Sequence, residues 1–67
     1  MKQMFKVYIS GSGYQWSAAE IIQVEQEWIV LDNINNQYKR FKYFADAVKY
    51  VKWRFYVWGV VVIKLVL

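Results

Sequence analysis

Residues 4 to 10 alternate in polarity, with Phe5, Val7 and Ile9 on one side of the chain and Lys6 and Tyr8 on the other. A period of two is that of a half-buried strand. Gly11, Ser12 and Gly13 follow as a turn, where glycine admits backbone angles that other residues resist. Residues 14 to 17 (Tyr-Gln-Trp-Ser) read either as the start of a partner strand or as an aromatic loop tip. Strand character resumes around Ile21, Ile22 and Val24, is interrupted by Glu25-Gln26-Glu27, and returns in Trp28-Ile29-Val30-Leu31. A single helix over residues 17 to 31 competes, because Ser17 with Glu20 three residues on has the form of a capping box. Enrichment in Ile, Val and Trp favours strands.

Asp32-Asn33-Ile34-Asn35-Asn36 is a turn signal, since Asp and Asn side chains bond their own backbone and tolerate left-handed geometry. Residues 37 to 42 alternate Tyr38, Arg40 and Lys42 against Lys39 and Phe41, as a further strand would. From residue 44 to 58 the period changes. Phe44, Ala47, Val48, Val51, Phe55 and Trp58 form one stripe at about 100° per residue, the mark of a helix facing a core. Asp46 suits its first turn and Lys52 and Arg54 its last, where their charges complement the macrodipole. Gly59 is placed as a left-handed C-cap. Residues 60 to 67 are apolar on both faces apart from Lys64, which reads as an interior strand or one covered on both sides.

These elements predict an α+β fold: a small antiparallel or mixed sheet of four to five strands with one helix packed on a face. The order is β-β-β-β-α-β, with β-β-β-α-β as the alternative. No linker, internal repeat or low-complexity tract divides residues 1 to 67, which are expected to form a single domain.

Composition explains how so short a chain holds a core. Hydrophobic residues are 58% and aromatics 21% of its 67 residues, and each buried aromatic removes roughly 150–250 Å² from water. A few large side chains are therefore expected to make the core. Cys, His and Pro are absent. Disulfides, thiolate nucleophiles, sulfur-ligated metals and imidazole general bases are thereby excluded, and a reducing, cytoplasmic setting is expected.

The glycine turn has neither the P-loop nor the dinucleotide-binding pattern, and no G-x-S-x-G elbow occurs. Glu25 and Glu27, two apart, would share a strand face as like charges close together, the one arrangement that offers carboxylate chemistry, but a polar break between strands accounts for them more simply. No catalytic, cofactor-binding or metal-binding residue is assigned, and no enzyme activity is expected.

Net charge is +4. Four of the five acids (Glu20, Glu25, Glu27, Asp32) precede a segment holding six of the nine bases (Lys39, Arg40, Lys42, Lys49, Lys52, Arg54). Either the two neutralise one another across the sheet, or the basic segment meets an anion. Tyr38, Lys39, Arg40, Lys42 and Tyr43 interleave stacking groups with cations, as binding of single-stranded nucleic acid requires. Consensus RNA-binding motifs are missing. The 13 residues from Phe55 to Leu67 contain Gly59 and Lys64 and fall short of the about 20 that span a bilayer. Residues 4 to 9, interrupted by Lys6, do not form a signal sequence. A cationic, membrane-active peptide is a third and weaker expectation.

One feature of the helix is informative. If its main stripe faces the sheet, Tyr50, Trp53 and Val57 form a second stripe on the outer side, rimmed by Lys49 and Asp46. Contiguous outward aromatics are covered by another part of the chain, by a second copy in a homodimer, or by a foreign protein. Small, aromatic-rich, cysteine-free domains that act by occlusion include phage-encoded inhibitors. That likeness is one of size and style alone. The expected function is non-catalytic docking on another protein through Tyr50, Trp53, Val57 and Lys49, together with self-association.

Overall fold

The computed structural model describes residues 2 to 67. Five strands, β1 (Met4–Gly11), β2 (Tyr14–Val24), β3 (Glu27–Asp32), β4 (Gln37–Phe41) and β5 (Val60–Leu65), form one sheet in the order β4-β3-β2-β1-β5. All four pairings are antiparallel. One helix, α1 (Phe44–Phe55), and a 3-10 turn (Tyr56–Trp58) separate β4 from β5. The expected α+β class and the order β-β-β-β-α-β are both present. The stretch 17 to 31 is two strands and a tight turn, and its capping-box form has no helix to cap.

The alternating pairing makes β4 and β5 parallel and sets them at opposite edges. The chain must therefore cross the whole sheet between them, about 19 Å at 4.8 Å per strand. Twelve helical residues at 1.5 Å each span about 18 Å. Parallel strands also require a return along the strand direction, so α1 runs obliquely, from Phe5 and Trp28 at its start to Asp32 at its end.

Cross-strand partners share a face, so the register assigns each side chain. Val7, Ala19, Val30 and Ile63 lie toward the helix with Ile9, Ile21 and Val61, while Lys6, Glu20, Leu31 and Lys64 lie on the opposite, open face. A bulge interrupts the alternation: Val7 pairs with Ala19 but Tyr8 pairs with Ser17, leaving Ala18 unopposed. The extra residue reverses the parity of everything before it in β2. Trp16, which strict alternation would place beside Glu20 on the open face, is turned to the helix side opposite Ile9.

The fully buried residues are aliphatic with one exception: Val7, Ile9, Ala18, Ala19, Ile21, Val30, Ala47, Val51 and Phe55. The expectation of a core made of large aromatics is corrected. Half of the aromatics flank an aliphatic seam whose helix side is made by Ala47, Val51 and Phe55. Phe5, Trp28 and Phe44 cluster at the start of α1, with Phe44 4.7 Å from Phe5 and 4.8 Å from Trp28 between centroids. Trp16 meets Trp58 at 5.9 Å beyond its other end.

Three further expectations are revised. The helix ends at Phe55, and the tighter 3-10 turn swings Trp58 off the stripe and onto Trp16. Gly59 has φ 151° and ψ −164°, an extended mirror-image conformation in place of the left-handed cap. β5 is an edge strand with Val60 and Leu65 exposed, although its doubly apolar sequence reads as interior.

Gly59 gives the sharpest test of this geometry. A Cβ there would lie 2.8 Å from the Ser10 carbonyl oxygen and 2.9 Å from Ile9 Cγ2, in a backbone conformation that itself costs about 1–3 kcal/mol. Gly59→Ala is expected to lower unfolding free energy by about 3 kcal/mol, read as a shifted urea midpoint, whereas Gly13→Ala, with open space around its Cβ, loses about 1 kcal/mol.

Candidate functional site

The outer side of α1 carries the residues expected to bind a partner. Trp53 and Val57 are each 69% exposed and Tyr56 is 66% exposed. Phe55 anchors the inner side of the same turn, so Trp53, two positions earlier, is held about 200° away from the core by helix geometry. Tyr56 lies three residues beyond Trp53 and Val57 four, which stacks the three groups on one side. Lys49 sits one turn before Trp53 and, with Lys52, gives the patch a cationic margin. Tyr56 was not part of the expected stripe. Its position follows from the same helical spacing, three residues after Trp53.

Tyr50 belongs to a different surface. It is half-buried, stacks 5.3 Å from Phe41 of β4, and touches Trp53 only at 6.1 Å. The Lys39 ammonium lies 5.1 Å above its ring. Tyr50 thus closes the seam between α1 and the β4 edge and supports Trp53 from the side. The exposed patch is Trp53, Tyr56 and Val57, with Tyr50 as its buttress. The segment around Tyr14 and Trp16 reaches Trp58 and leaves Trp53 uncovered.

The basic segment does not converge on one surface. Tyr38 and Arg40 lie on the open face opposite Leu31 and Ile29, while Lys39 points to the helix side opposite Val30. β4 ends at Phe41, so Lys42 and Tyr43 fall in the bend before α1 and their cation–π contact, 5.7 Å, is with each other. The expected sharing of one strand face by Tyr38, Arg40 and Lys42 is corrected to the first two. Tyr43 is the extended N-cap residue of α1.

Two ion pairs join the acidic and basic segments. Arg40 Nη1 donates to Glu27 Oε1 at 3.3 Å on the exposed surface. Glu25 occupies the β2–β3 turn at φ 57°, so Glu25 and Glu27 do not share a strand face, and Glu27 is engaged by Arg40. Asp32 is only 6% exposed and is fully engaged. One oxygen accepts the backbone N–H groups of Ile34 and Asn35 at 2.9 and 3.1 Å, and the other forms an ion pair with Arg54 Nε at 3.2 Å. A groove of about 250 Å³ opens beside it, lined by Val30, Gln37, Lys39 and Tyr50 among others. Its one buried carboxylate has both oxygens occupied, so the groove presents shape and a single lysine, without a free acid or base held in it.

No protein-family model matches the chain, and neither any curated protein nor any solved structure shows significant similarity to it.

The Asp32 arrangement is expected to be structural. Asp32→Ala leaves two turn N–H groups and a mostly buried guanidinium without their acceptor, and should lower unfolding free energy by about 2–3 kcal/mol. Glu27→Ala removes a pair between two largely exposed side chains and should change it by less than about 0.5 kcal/mol. Parallel denaturant titrations of the two variants measure the contrast.

Proposed function

We propose that this chain is a non-catalytic binding domain that docks on another protein through the outer surface of α1 and the 3-10 turn. The observation that carries this reading is the grouping of Trp53, Tyr56 and Val57, each about two-thirds exposed, on adjacent turns of a helix whose opposite side is anchored in the core. Burying such a group on a partner releases water from one contiguous apolar area. Trp and Tyr are also the residues that dominate binding energetics, because they offer large rigid surfaces with few rotamers. The cations Lys49 and Lys52 at the margin favour a partner with an apolar pocket bordered by acidic groups. A small domain that fills a pocket acts by occlusion, as an antagonist does. The absence of cysteine is compatible with a cytoplasmic site of action.

Nucleic-acid binding is the lesser reading, because the aromatic and basic groups of residues 38 to 43 are divided between two faces and the bend, and Arg40 is paired with Glu27.

Affinity capture from the native host with the tagged protein and its Trp53→Ala variant tests the proposal. Trp53 contributes no buried core surface, so the variant should keep its circular dichroism spectrum and melting temperature. Capture of the partner should weaken roughly thirtyfold, the equivalent of about 2 kcal/mol. Equal recovery of the same partner by both proteins overturns the role of this surface. Salt-sensitive retention on single-stranded DNA, lost in Arg40→Ala but kept in Trp53→Ala, would replace it with the lesser reading.

A further inference from the structure

We infer that β5 is a self-association edge, where a second copy of the chain pairs strand to strand, antiparallel, about a two-fold axis at Ile63. This uses a surface separate from the Trp53 patch and does not depend on it.

The hydrogen-bonding pattern fixes which backbone groups are free. Val66 N–H donates to the Met4 carbonyl at 2.8 Å, and the register continues through Lys6 with Lys64 and Tyr8 with Val62. Narrow and wide pairs alternate along an antiparallel ladder. The even-numbered residues of β5 therefore direct their N–H and C=O groups to β1. Those of Val61, Ile63 and Leu65 point outward, and among the described residues no strand lies beyond them.

The two edges of the sheet differ in kind. β4 presents Lys39 and Arg40, with Lys42 just past its end, and charged residues on an edge oppose strand addition. β5 reads Val-Val-Val-Ile-Lys-Leu, and its first and last residues, Val60 and Leu65, are 67% and 59% exposed. Lys64 is its one charge, and its ammonium turns onto the Tyr8 ring of the open face at 5.5 Å, away from the edge. The edge is thus rich in β-branched residues and unguarded.

A second copy is the occupant that this edge fits. Antiparallel pairing with the axis at Ile63 sets Val61 opposite Leu65 of the other copy, Ile63 opposite Ile63, and Val62 opposite Lys64. The outward groups then meet in narrow pairs, and every pairing keeps helix-side residues on the helix side. The two Lys64 side chains are not opposed to each other. The assembly also closes: once β5 meets β5, both remaining edges are the cationic β4 strands, and growth stops. Addition of β5 to β4 would instead be head-to-tail and would leave a free β5 edge after each step short of ring closure.

Sedimentation equilibrium of the purified full chain and residue-resolved amide exchange test this. The expected result is twice the chain mass at high concentration. Protection of the Val61, Ile63 and Leu65 amides should rise at least about tenfold with concentration, while Val62 and Lys64 stay protected throughout. Leu65→Pro removes an N–H that β1 does not use and obstructs the edge, so it should give a folded monomer. Lys64→Pro, which removes a bond to β1, should destabilise the monomer itself. A chain that stays monomeric, or a dimer that Trp53→Ala abolishes and Leu65→Pro leaves intact, overturns the inference. Were Leu65→Pro to unfold, the concentration dependence of the three wild-type amides decides the matter alone.

Discussion

A single helix has to cover a five-stranded sheet, and it is too narrow to do so. A helix with its side chains is about 10–12 Å across, whereas five strands place their outer axes about 19 Å apart. The buried seam therefore follows the line where Ala47, Val51 and Phe55 meet Val7, Ile9, Ala19, Ile21 and Val30. Everything away from that line is partly wet. The position of each aromatic, each ion pair and each exposed surface follows from how the remaining sequence deals with the shortage of cover.

Aromatic side chains extend the cover. Phe5, Trp28 and Phe44 close one end of the seam, Phe41 and Tyr50 close its β4 flank, and Trp16 and Trp58 close the far end. Each spans a gap that an aliphatic group at the same backbone position would leave open. The Trp16 contact exists only because the Ala18 bulge turns β2 over, and small residues at 18 and 19 let the bulge lie fully buried. Asp32 holds the same assembly by polar means, tying the β3–β4 turn to Arg54 near the end of α1. Fold and candidate surface are linked here. The contacts that set the rotation of α1 about its axis also hold Trp53, Tyr56 and Val57 outward.

The shortage has a second consequence at the sheet margins. The β4 edge carries cations and the flank of α1, while the β5 edge lies at the other side with apolar residues on both faces. A strand rich in valine and isoleucine is favourable where both faces and both edges are covered. Placed at an edge, the same composition leaves paired surface to be found elsewhere. Outer helix surface and free strand edge are thus distinct products of one constraint: apolar area that the chain itself cannot cover.

Local pattern by itself determined the elements. The period of two in residues 4 to 10, the Asx-rich turn after Leu31 and the change to a 3.6-residue period after Phe44 each report the environment of neighbouring residues, and they yield the α+β class and the order of elements. The outward direction of Trp53 was also legible, because it depends only on its angle from Val51 and Phe55. Four features were decided by tertiary structure alone. The bulge at Ala18 reverses a strand's faces without leaving a mark in hydrophobic periodicity. The passage to a 3-10 turn after Phe55 moves Trp58 to Trp16. Tyr50 is drawn to Phe41, a residue whose proximity depends on the crossing of α1. Lastly, β5 is an edge because strand order follows from which partner each strand finds across the sheet. Sequence specifies what a segment buries; the neighbours that bury it are set only when distant segments meet.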